Sequence, residues 1–148
     1  MKKSKRFQPI ARIAANNEMA SAKKLGLANN NLTIQKNKLT DLIQYREEYI
    51  KSFKQQGQKG MDGSQLHTYQ KFLENIDNAL VQQRSLITAA ESACELQKKF
   101  WRTQHTKTKI MGNVINNHIK DEQQQLNKQE QKENDERNSR AHQTSSDK

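Results

Sequence analysis

The chain has 148 residues, 26 Lys and Arg against 16 Asp and Glu, a net charge of +10 and a mean hydropathy of −1.16. Leu, Ile, Val and Phe together number 27, under the roughly 20% that a compact core requires, while Gln and Asn number 32. An ordinary globular domain is excluded, which leaves disorder or long helices that bury a narrow stripe; one Pro and five Gly favour the helices.

The start, Met1 to Arg6, is basic, and no apolar run in the chain exceeds three residues. A secretory signal and a transmembrane span are therefore not expected. A lone Cys gives no disulfide framework, so a reducing cytoplasm is the expected compartment. Residues 1–8 read as a basic segment, and Pro9 suits the first turn of a helix. That first helix is predicted over about 9–54, roughly 70 Å at 1.5 Å per residue. Its heptad a positions are Leu25, Leu32, Leu39, Arg46 and Phe53; its d positions are Ala28, Gln35, Leu42 and Tyr49. Ile43 and Ile50 widen the stripe.

Gly57, Gly60 and Gly63 mark residues 55–64 as a loop, with Ser64 as the expected N-cap of the next helix. The second helix is predicted over about 64–127. Its a positions run Leu66, Leu73, Leu80, Ile87, Cys94, Trp101, Thr108, Ile115, and its d positions Tyr69, Ile76, Ala90 and Met111 with Gln83, Gln97 and Gln104. This spacing holds for about seven heptads, a strong coiled-coil signal. Phe72, Ala79, Leu86, Ala93 and Phe100 form a second row at g, which is either core or docking surface. From Asp121 the stripe dissolves, and 128–148 reads as a frayed end followed by a disordered polar tail.

The expected fold is all-α: a long antiparallel two-helix coiled-coil hairpin, residues 9–127, with a flexible tail. Opposed residues should have numbers summing to about 119, so Leu39 lies level with Leu80 and Glu18 with Trp101. Charge is uneven: residues 1–30 carry seven basic and one acidic side chain, and 101–120 carry four basic and no acidic ones. The hairpin brings these segments together as a basic tip, suited to an acidic partner or simply solvated.

Catalytic chemistry is not apparent. The glycines lack the Lys-Ser/Thr of a phosphate-binding loop. His67, His105, His118 and His142 are too scattered for a metal, and Cys94 at an a position reads as packing rather than nucleophile. Asp41, Glu47 and Glu48 are solvated helix residues, not a carboxylate pair in a cleft. No enzyme activity, cofactor, metal or small-molecule substrate is expected. Nucleic-acid binding by the basic tip is the weaker alternative, because aromatics are not interleaved with the basic residues.

The run Leu42-x-x-Tyr45-x-x-x-Tyr49, the Gly-containing loop, then Tyr69-x-x-Phe72-x-x-x-Ile76-x-x-Ala79-Leu80-x-x-Gln83-x-x-Leu86 resembles the FliJ family of flagellar protein-export components. The likeness spans about residues 36–102, including Trp101. It implies a non-enzymatic stalk that enters the hexameric flagellar export ATPase and contacts the membrane export gate and export chaperones. It also implies a cytoplasmic protein peripherally associated with the inner membrane, needed for flagellum assembly. The positions matching the family's gate-binding face are Leu42, Tyr45, Tyr49, Phe72, Ile76 and Ala79; Lys38 and Gln83 match less well. Leu42, Tyr49 and Ile76 fall at d and read equally as seam packing, whereas Tyr45, Phe72 and Ala79 fall at g. Arg12, Lys23, Lys24, Arg102, Lys107 and Lys109 are the candidate ATPase contacts on the basic tip. The equivalent stalk of a virulence type III secretion system would share this fold.

Overall fold

The structure, a computed structural model, describes residues 2–146. Met1, Asp147 and Lys148, the outermost positions of the basic segment and of the polar tail, lie outside the described residues. Two long helices make up the fold: α1, Lys3–Gly57, and α2, Gly63–Ser146. No strand occurs among the described residues. Both helices outrun the sequence expectation. Pro9 lies inside α1 rather than at its start. There it removes the hydrogen bond to the Lys5 carbonyl and its ring crowds that carbonyl; Lys5 is exposed, so water can supply the missing donor. At the other end α2 continues through 128–146, where no Gly or Pro interrupts it and Gln, Glu, Lys and Arg hold good helix propensity.

Between the helices, Gly60 takes a φ of +93°, the left-handed conformation that glycine adopts without steric cost. Its N–H bonds the Gly57 carbonyl at 3.1 Å, closing the turn that ends α1. The N-cap of α2 is Asp62, not Ser64. Asp62 Oδ1 accepts from the Gln65 N–H at 2.8 Å, and Gln65 Oε1 accepts from the Asp62 N–H at 3.2 Å. This reciprocal pair is a capping box, which satisfies two backbone donors where a lone serine would satisfy one.

The chain divides into two compact units: a first of Met1–Met19 with Arg102–Lys148, and a second, Ala20–Trp101, which contains the turn. Within the second, Ile76, Leu80, Ile87, Ala90 and Cys94 of α2 form the buried apolar core. All five occupy predicted a or d positions. Polarity does not exclude a residue from this seam: Gln83 is 7% exposed, and its Nε2 donates to the Gln35 carbonyl at 2.9 Å and to Gln35 Oε1 at 2.7 Å. Arg46 Nε pairs with Asp77 Oδ1 at 2.8 Å at the edge. Partner numbers fall along α2 as they rise along α1, as expected for helices joined by a tight turn.

The first unit keeps that reversed order: Glu18 Oε1 lies 2.6 Å from His105 Nδ1, and Thr108 Oγ1 donates to the Ala14 carbonyl at 3.1 Å. The Glu18–His105 pair, like Arg46–Asp77 in the second unit, reaches four residues beyond the expected sum of 119, within the span of two long side chains.

Candidate functional site

Two sets of side chains were candidates for recognition. The aromatic set belongs to the second unit. Its rings alternate between helices: Tyr45 meets Phe72 edge-on at 6.0 Å, and Phe72 lies 4.1 Å from Tyr49. Tyr49 stacks on Tyr69 at 5.6 Å, and Tyr69 stacks on Phe53 at 3.4 Å. The heptad pattern explains the ladder. Tyr49, Phe53 and Tyr69 are a or d residues near the turn, whereas Tyr45 and Phe72 sit one position outside the seam.

Exposure separates the six gate-face candidates. Ile76 is 6% exposed and is core. Leu42, Tyr49, Phe72 and Ala79 are half-buried. Tyr45 is 52% exposed. A shallow hollow of about 520 Å³ beside Tyr45 is lined by Leu42, Lys38, Asp41 and Gln83. Lys38 and Gln83 thus border the same surface as Tyr45, although their match to the family pattern is the poorer one. A second hollow of about 250 Å³ lies nearer the turn against Phe53, Tyr69 and Met61. Phe53 and Tyr69 were absent from the candidate set; their signal was an aromatic at a or d directly flanking the glycines.

All six basic candidates are exposed. Arg12, Arg102, Lys107 and Lys109 belong to the first unit, Lys23 and Lys24 to the second. The first unit is held by polar and aromatic contacts rather than by a fully buried apolar core. Ser4 donates to Glu122 twice, from N–H to Oε1 at 3.1 Å and from Oγ to Oε2 at 2.8 Å. The Glu122 carboxylate therefore satisfies a free donor in the first turn of α1, where the helix dipole also favours an anion. These bonds hold the Glu122 carboxyl below its usual range, the Ser4 N–H bond contributing most. Phe7 stacks on His118 with ring centroids 5.3 Å apart. Glu18 is likewise pushed down, first by its bond to His105 and then by Thr108.

Among the described residues no group of three His, Cys, Asp or Glu side chains could hold a metal, and no helix is long and apolar enough to cross a membrane. Cys94 is a free, buried thiol at its predicted a position. The surface offers recognition by aromatic and cationic side chains.

Comparison with curated proteins gave no match, and neither did comparison with solved structures. The model of a family described as "Flagellar FliJ protein" matches residues 2–147. With two long helices, a tyrosine–phenylalanine ladder flanking the turn, and a match that runs almost from end to end, the chain belongs to the FliJ family and is a component of the flagellar protein-export apparatus.

Proposed function

We propose that this protein acts as the stalk of the flagellar export ATPase and links that enzyme to the membrane export gate and to export chaperones. In this reading it works as an antiparallel coiled coil, catalyses nothing itself, and resides in the cytoplasm at the base of the flagellum, peripheral to the inner membrane. The residues beyond about 127 serve as a flexible tail. The observation that carries the reading is the division of surface chemistry. Residues 2–19 hold five basic side chains and one acidic, and 102–120 hold four basic and none acidic. The aromatic ladder lies instead between Tyr45 and Phe72. Cationic side chains suit electrostatic capture by an acidic ATPase surface. Tyr45, half exposed against Phe72, suits anchoring, because aromatic side chains give large contact area at low entropic cost.

Two variants of the full chain test this. Tyr45→Ala with Phe72→Ala should weaken gate binding about tenfold or more and spare the ATPase. Arg12→Glu with Arg102→Glu and Lys109→Glu should do the reverse, with an ATPase affinity that falls as salt rises. If neither variant changes either association, the stalk reading fails. DNA binding that exceeds ATPase binding and drops steeply with salt would favour the nucleic-acid alternative.

A further inference from the structure

Large apolar side chains are gathered on the surface of the first unit. Ile10, Ile13 and Ile110 are 49%, 60% and 54% exposed. They share one groove of about 360 Å³ between α1 and α2, with Ala14 and Met111 also in its lining. Exposed aliphatics scattered singly need no explanation, but three β-branched ones in one concavity do. We propose that this groove is a docking site for an amphipathic helix with an acidic polar face, supplied by another protein. The inference goes beyond the stalk reading, and Lys107 is shared by the groove and the candidate ATPase surface.

Helix spacing on both walls argues for a helical occupant. The α1 wall is built from Ile10, Ile13, Ala14 and Asn17, an i, i+3, i+4, i+7 set, and the α2 wall from residues 104, 107, 110 and 111. Two such ridges form a channel along which a third helix lays its apolar stripe. An extended peptide would carry unpaired backbone N–H and C=O groups into that aliphatic channel, at a cost the groove has little means to offset.

Charge fixes the polar face of the occupant. Lys107 lines the groove itself. Arg6 lies on the α1 face of Ile10 and Ile13 by four- and seven-residue spacing and is exposed. No carboxylate lines the groove; of those nearby in sequence, Glu18 is engaged by His105 and Glu122 by Ser4, while Asp121 shares a separate hollow with Lys2 and Lys3. An acidic helix would meet these cations, whereas a basic one would be repelled. The chain's own α2 beyond residue 127 is not a candidate, because Ala141 is its one apolar side chain.

The test uses the full chain and two synthetic helical peptides. Both carry the same Leu/Ile face; one has a Glu-rich and the other a Lys-rich polar face. Binding is followed by fluorescence anisotropy at two salt concentrations. The Glu-rich peptide should bind saturably and the Lys-rich one should not. Ile13→Gln with Ile110→Gln should weaken binding about tenfold or more, with unchanged helicity by circular dichroism because both side chains are already exposed. Lys107→Glu should weaken the Glu-rich peptide and flatten its salt dependence. Equal binding of both peptides, no binding of either, or wild-type affinity in the variants would overturn the proposal. Self-association abolished by the same isoleucine substitutions would also overturn it, by giving the groove to a second copy.

Discussion

Asp62 and Gln65 decide where α2 begins, and they do so through two backbone bonds that no neighbouring side chain duplicates. Asp62→Ala should destabilise the second unit by about 1 kcal/mol, while Ser64→Ala should stay within about 0.5 kcal/mol of wild type. Urea unfolding followed by circular dichroism distinguishes them; equal effects would return the cap to Ser64. The capping box is written in the sequence as Asp62-Gly-Ser-Gln65, but Ser64 stands closer to the apolar repeat and is an equally good N-cap by residue type. Burial of Ile76 was less legible. A d position marks nearness to the seam, and only the packed neighbours decide between core and binding face.

At the scale of the element, the heptad predicted which side of α2 is buried but not what joins the helices where the apolar repeat fails. Ile76, Leu80, Ile87, Ala90 and Cys94 follow from spacing alone. The contacts of the first unit do not, because Gln104 and Thr108 interrupt the apolar repeat there. Carboxylate bonds take over in that unit. Glu18 and Glu122 both have carboxyl groups held below the ordinary value of 4.5. A carboxyl lowered on folding stabilises the folded state above its unfolded pKa, and that contribution is lost as pH falls through the lower folded value. Helicity of the first unit should therefore decline as pH falls below about 4.5, a range set by the free carboxyl. Glu18→Gln with Glu122→Gln should start less stable at neutral pH and show a flatter acid limb in thermal melts. An acid limb identical to wild type would assign the loss to general charge repulsion among the basic residues.

For the whole molecule, composition already implied helices too polar to bury more than a stripe, and that stripe ends where the two readings of the tail part. Residues from Asn127 to Ser146 are helical and all exposed. Their helix rests on propensity and on Glu133–Arg137 and Glu136–Arg140 spacings, worth about 0.3–0.5 kcal/mol per pair at best. A helix of this length with no apolar face is marginal in water. The seam around Ile87 instead opens only when the packed helices separate. Native-state hydrogen exchange should therefore show strong protection from Ile76 to Cys94 and a sharp fall beyond Leu126. Amides there should exchange within about tenfold of unstructured rates, as expected for a fraying helix. Protection at Gln131 or Arg137 comparable to that at Ile87 would mean that 127–146 packs against a partner surface, and the flexible-tail reading would then give way to a second interface on α2.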